Sequence, residues 1–150
     1  MSMNNNYGSK KAPPIDGDAV ERLNAMIDWK SFIPVLDAVI QRNSGYKGGR
    51  PPYGNIVMFK ILALKWLCNL SYDRTECLIN DSAACRKFLG SELMPDAKTI
   101  WLFKDTVIGS GAALMLAEML TKAWEERRAD IGGFTPQSGF LDSLSGKRAK

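Results

Sequence analysis

Apolar residues recur every three or four positions along most of the chain, which is the spacing that places them on one face of an α-helix. In the first half of the chain this spacing predicts helices over about 16–27 and 30–41. Residues 55–68 are apolar on nearly every side. A helix without a polar face is normally surrounded by other helices, so this segment is predicted to lie at the centre of the domain.

Four further helices are predicted in the second half, because residues that cap or break helices bound each apolar stretch. They begin at Ser71, Ser82, Asp96 and just after Gly111, and the last ends near Arg128. The predicted fold is all-α: a compact multi-helix domain with helix-turn-helix-like features. Short helices joined by tight turns are typical of such DNA-binding domains.

The two ends of the chain lack this helical spacing. Residues 1–15 are polar and are predicted to form a flexible tail. Beyond Gly132-Gly133, the segment Gly139-Phe140-Leu141-Asp142 has the pattern of a short strand, so the C-terminal end is predicted to be irregular or strand-like. We therefore divide the chain into a tail (1–15), a helical domain (16–131) and a C-terminal segment (132–150).

Composition excludes several kinds of chemistry. The chain has no histidine, which removes His-based acid–base catalysis and His-ligated zinc. Its three cysteines form no CxxC pair and are predicted to be small core residues in a reducing cytoplasm. No secretory signal or membrane span is recognisable, so a cytoplasmic protein without a membrane partner is expected. The formal charge of +4 is compatible with a nucleic-acid partner.

The predicted helix from 96 to 108 is the best candidate to read DNA. With its apolar stripe (Ile100, Phe103, Val107) turned inward, Lys98 and Trp101 would point outward and Lys104 would lie on the flank. Free N–H groups at its N terminus would be able to approach a phosphate. The alternative interpretation is a solvated surface helix. The DNA-contacting residues that we predict on it are Lys98, Thr99, Trp101 and Lys104.

Other basic residues are weaker candidates. Lys47 and Arg50 lie in a break rich in glycine and proline, where they would be able to follow a phosphate strand or enter a minor groove. Arg86 and Lys87 are also basic and are further candidates for contacting DNA. For all four residues, an ordinary solvated surface is the alternative. Two tryptophans, Trp66 and Trp124, are predicted to be core residues rather than platforms for base stacking.

Five segments, taken together, resemble a known family. They are Gly49-Arg-Pro-Pro-Tyr53, Met58-Phe-Lys-Ile-Leu62, Asn69-Leu-Ser-Tyr-Asp-Arg-Thr-Glu76, Arg86-Lys-Phe-Leu-Gly90 and Pro95-Asp-Ala-Lys-Thr-Ile-Trp-Leu-Phe-Lys104. In this order and spacing they resemble the N-terminal domain of InsH-like bacterial insertion-sequence transposases, of the DDE superfamily. The resemblance spans about residues 30–142. One departure is Phe103-Lys104, where the family usually has Phe-Arg, whose guanidinium is a bidentate donor.

The resemblance implies a DNA-binding role. In that family the helical N-terminal region recognises the terminal inverted repeats of the element. A ribonuclease-H-like domain follows, in which three acidic residues hold two magnesium ions for phosphoryl chemistry. Asp142 matches the place of the first acidic residue and is the only catalytic position carried over. The second and third have no counterpart here.

The chain is therefore expected to be a transposase piece truncated before most of its catalytic domain, with 132–150 as the start of that domain. No enzymatic activity and no cofactor are expected for this chain, since Mg²⁺ would serve only a complete transposase. The expected partner is double-stranded DNA of the element ends. The alternative is an interaction module, in which residues 55–68 or 110–128 pack against a second copy or a full-length transposase and inhibit it.

Overall fold

The helices observed follow those predicted from the sequence closely. The structure, a computed structural model, describes residues 16–43 and 53–145. Within these ranges it contains no strand, and the all-α prediction is confirmed. A single 3-10 turn, Trp29–Phe32, precedes the second helix. The α-helices are α1 Gly17–Met26, α2 Ile33–Asn43, α3 Asn55–Leu67, α4 Tyr72–Asp81, α5 Ala83–Leu89, α6 Ala97–Ser110, α7 Ala113–Arg127 and α8 Phe140–Ser145.

Side-chain caps define where α1, α4, α5 and α6 begin. The Ser71 hydroxyl accepts a hydrogen bond from the Arg74 N–H at 3.1 Å, and Ser82 does the same for Cys85 at 3.1 Å. At the other end of α5, Gly90 adopts a left-handed conformation with φ of 70°. Glycine adopts this conformation readily because it has no Cβ. The breaks predicted from these residues are confirmed.

The central position predicted for residues 55–68 is also confirmed. Helix α3 is buried along nearly its whole length and packs against α2, α4, α5, α6 and α8. Trp66 and Trp124 both belong to the core, with ring centroids 6.4 Å apart. Cys77 and Cys85 are fully buried, as predicted for core residues, whereas Cys68 is half-buried. Burial raises the pKa of the Cys68 thiol to about 12, so this thiol keeps its proton at neutral pH.

The strand predicted at residues 139–142 is wrong, because these residues begin α8. Phe140 and Leu144 are both almost fully buried, and a spacing of four residues places them on one face of a helix. That face packs on α7, α3 and α6. A four-residue apolar segment does not distinguish strand from helix, and the deciding residue, Leu144, lies beyond the segment.

No single described helix is both long and apolar enough to cross a membrane. Helices α6 and α7 meet the length and composition criteria only as a pair, and the chain bends by 108° between them.

Candidate nucleic-acid interface

Helix α6 lies at the surface with one face buried and one face open. Its Ile100 and Val107 side chains are fully buried against the neighbouring helices. On the opposite face, Lys98 and Asp105 are exposed, and Trp101 and Leu102 keep 43% and 48% of their surface accessible. An exposed tryptophan beside an exposed lysine is a plausible contact surface for a nucleic acid, because it offers both an apolar face and a positive charge.

The N terminus of α6 is not the open phosphate site predicted from the sequence. The Ala97 N–H donates to Glu76 Oε1 at 2.9 Å, and the Thr99 N–H donates to Asp96 Oδ1 at 2.8 Å. Hydrogen bonds from the Thr99 side chain and backbone lower the pKa of Asp96, which favours its charged form. Two carboxylates therefore occupy this end of the helix, and their charge would repel a phosphate there.

Lys104 also departs from its predicted position on the flank of the outer face. Only 6% of its surface is exposed, and its Nζ lies 4.6 Å from the centroid of the Trp101 ring. The reason is helical geometry, since Lys104 follows the buried Ile100 by four residues. Phe103, predicted to be buried, is only half-buried. The inward stripe of α6 is therefore Ile100, Lys104 and Val107.

Sequence reasoning missed the neighbour of Lys104. Lys65, on α3, is 8% exposed, and burial together with the nearby charge of Lys104 lowers its pKa to about 8. Its Nζ lies 4.4 Å from the centroid of the Tyr72 ring. The sequence feature that could have revealed Lys65 is its position as a charged residue in an otherwise apolar helix, since that helix was predicted to be central. A lysine in that position has to be buried unless its side chain reaches solvent.

The predicted contacts Lys47 and Arg50 lie outside the described residues. The structure nevertheless places the point at which this segment rejoins the fold. Tyr53 lines a small crevice together with Asn55 of α3 and with Thr99 and Leu102 of α6. The chain therefore re-enters the described part of the fold beside Thr99 and Leu102 of α6.

Arg86 and Lys87 belong to a different side of the molecule. Helix α5 packs mainly on α1 and α4. The Lys87 ammonium lies 3.9 Å from a carboxylate oxygen of Glu21 on α1, and the Arg86 guanidinium donates to the Asn80 carbonyl. Lys98 and Trp101 thus share the outer face of α6, Thr99 lies on its flank in the crevice with Tyr53, and the α5 pair lies elsewhere.

Asp142, the only predicted catalytic position, is exposed in the first turn of α8. Within residues 16–43 and 53–145, no group of three or more histidine, cysteine or acidic side chains is arranged to hold a metal ion.

The fold and the open face of α6 define an all-α domain with a candidate surface for nucleic acid. The chain matches the family described as Transposase domain (DUF772) over residues 9–106. Since the match covers more than half of the chain, the protein belongs to this family of transposase domains. No curated protein and no solved structure is significantly similar to it. The expected transposase relationship is confirmed, and the narrower resemblance to InsH-like transposases stays a prediction.

Proposed function

We propose that the chain binds duplex DNA as the recognition part of a transposase, with the outer face of α6 towards the DNA. The observation that carries this proposal is the open face of α6, where Lys98 and Trp101 are exposed. Leu102 of the same face lines the crevice with Tyr53, which follows the basic segment 44–52. Lys98, Lys47 and Arg50 would supply phosphate contacts, which dominate affinity. Trp101 and Leu102 would contact sugars or base edges.

The packing of α4 on α6 supports a helix-turn-helix-like use of these elements. Glu76 of α4 binds the first N–H of α6 and so fixes how the two helices join. In helix-turn-helix proteins one helix enters the major groove while another crosses the backbone. We assign the reading role to α6 and the supporting role to α4. The terminal inverted repeats of an insertion sequence are the proposed target.

In this proposal the chain binds DNA ends without cutting them. Asp142 is the only position matched to the catalytic carboxylates of InsH-like transposases, and two-metal chemistry needs several converging carboxylates. An assay of supercoiled DNA with Mg²⁺ is expected to show no nicking above that of an Asp142→Ala variant. Mg²⁺-dependent nicking that disappears in this variant would contradict the absence of catalysis.

A matched pair of lysine variants tests the DNA-facing surface. Lys98 lies on the outer face of α6, and Lys122 is an exposed lysine on α7. If Lys98 contacts a phosphate, Lys98→Ala should weaken binding to any duplex and reduce the slope of log K against log salt by about 1. Lys122→Ala removes the same charge and should leave that slope unchanged. Equal effects of the two variants would contradict the assignment of α6 as the helix that faces the DNA.

Self-association is the second candidate function, and a specific surface favours it. Leu114 and Met115 at the start of α7 are 55% and 54% exposed. Met115 also lines an apolar groove with Val35 and Val39 of α2. Helix α3, the other predicted contact surface, is buried inside the domain. A dimer at low micromolar concentration that Met115→Lys abolishes, together with no DNA affinity, would favour this function.

A further inference from the structure

Two lysine side chains are largely buried where α3, α4, α6 and α8 meet. Lys65 and Lys104 are 8% and 6% exposed, and they are close enough for one charge to oppose the other. Each ammonium group lies against an aromatic ring, at 4.4 Å from the Tyr72 centroid and 4.6 Å from the Trp101 centroid. Aromatic faces attract cations, but they do not remove the repulsion between two of them.

No carboxylate balances these charges among the residues that the structure describes. Neither Lys65 nor Lys104 forms an ion pair with a described residue. The Lys65 ammonium donates to the carbonyl and hydroxyl oxygens of Ser143 at 3.5 and 3.4 Å, which are long distances for a charged donor. Burying two like charges without a counter-ion is costly, so the arrangement is complementary to an anion.

Two hydroxyl groups of this cluster are also able to donate hydrogen bonds. The Tyr72 hydroxyl is buried without a hydrogen-bond partner. Burial raises the pKa of Tyr72 to about 12, so its oxygen keeps its proton at neutral pH. The Ser143 hydroxyl has a proton to donate as well. Lys65, Tyr72, Lys104 and Ser143 thus come from four helices that pack on one another, α3, α4, α6 and α8. Their two ammonium groups and two hydroxyl groups are all able to donate to oxyanion oxygens.

We propose that Lys65 and Lys104 form a phosphate-binding site, with Tyr72 and Ser143 as further donors and Trp101 as its outer cover. Phosphate is the class of ligand that fits, because its several oxygens accept many donors and its charge compensates both lysines. Trp101 is exposed on the proposed DNA face, so the phosphate is either a free ion or a phosphodiester of the DNA backbone. The site itself does not depend on the proposed function.

Thermal unfolding in millimolar phosphate, at constant ionic strength and neutral pH, tests the site. Wild-type protein should show a saturable rise in melting temperature of roughly 2–4 °C. The exposed-lysine control Lys122→Met should show the same rise. Lys65→Met and Lys104→Met should lose it. These variants remove a buried charge and should fold, and far-ultraviolet circular dichroism verifies that they do.

Titration of a labelled duplex with the same four proteins distinguishes the two sources of phosphate. If a backbone phosphodiester is the ligand, Lys65→Met and Lys104→Met should weaken DNA binding about tenfold, while Lys122→Met does not. Saturable stabilisation by phosphate with unchanged DNA binding would assign the site to free phosphate. Phosphate binding without any DNA affinity would contradict the proposed function but not the phosphate site. Two results together would overturn the site. The first is that phosphate raises the melting temperature of all four proteins equally, or of none. The second is that neither Lys65→Met nor Lys104→Met changes DNA binding.

Discussion

At the scale of single residues, charge and backbone conformation decide where this protein tolerates change. Three lysines that look alike in the sequence occupy different environments: Lys98 is exposed, Lys65 is buried, and the half-buried Lys60 donates to the Phe88 carbonyl at 2.9 Å. Helical spacing from Ile100 would have revealed that Lys104 points inward. The packing of α3 on α6, which brings the charges of Lys65 and Lys104 near each other, joins distant parts of the chain and was not predictable from local pattern.

Lys65 is expected to destabilise the ligand-free protein at neutral pH. Its pKa in the folded state is about 8, below the ordinary value of 10.5, so folding disfavours its charged form. Stability should therefore rise as the pH increases from about 8 towards 10.5 and the amine loses its proton. Lys65→Met should raise the free energy of unfolding by about 1–3 kcal/mol at pH 7 in phosphate-free buffer.

Denaturant unfolding at several pH values checks this prediction, with Lys122→Met as the exposed control. The gain in the free energy of unfolding of Lys65→Met over the wild type should shrink above pH 8 and nearly vanish above pH 10.5. A pH-independent gain would mean that packing rather than charge explains it. A loss of stability at pH 7 would show that the ammonium group is stabilising as it stands.

Two adjacent glycines give a second residue-scale prediction. Gly133 has a positive φ of 105°, and a Cβ built there would lie 2.8 Å from the Ala19 Cβ on α1. Gly132 has an ordinary φ and open space around its Cα. Gly133→Ala should therefore cost about 2 kcal/mol or more of stability. Gly132→Ala should change stability by less than about 0.5 kcal/mol, and comparable losses in the two variants would argue against the close approach to α1.

At the scale of elements, the helices were predictable wherever caps and apolar spacing agreed. Ser71, Ser82 and Asp96 marked helix starts, and Gly90 and Gly111 marked ends. Helix α8 was not predicted, because its first residues alone do not distinguish a strand from a helix. Its helical form also depends on packing against α7 and α3. Propensity is weak in so short a segment, and tertiary contacts decide its conformation.

Helix α8 is expected to be an integral part of the core. The Phe140 side chain is 1% exposed and meets the Phe59 ring with centroids 5.8 Å apart. Phe140→Ala should cost about 3–5 kcal/mol, the usual loss for removing a buried aromatic ring. Its neighbour Leu141 is 40% exposed, and Leu141→Ala should cost well under 1 kcal/mol. Equal, small losses in chemical denaturation would show that α8 does not pack as described.

At the scale of the whole molecule, the all-α class and the transposase relationship were predictable, whereas the arrangement of the surface was not. Family membership is shown by the match over residues 9–106. The predicted DNA contacts separate in space. On α6, Lys98 and Trp101 lie on the open face, Thr99 lies in the crevice with Tyr53, and Lys104 is buried. Arg86 and Lys87 lie on α5, which packs against α4 and α1. Sequence pattern gives residues that face outward, but only the packing of helices shows which outward faces adjoin.

The central claim is that this domain recognises the ends of a mobile element. The most direct measurement is a fluorescence titration of the protein with a duplex of the terminal repeat and with a scrambled duplex, each at two salt concentrations. The sequence flanking the gene supplies the repeat. Tighter binding to the repeat, weakening as salt rises, is the predicted result. Equal affinity for both duplexes, or no binding to either, would contradict the claim.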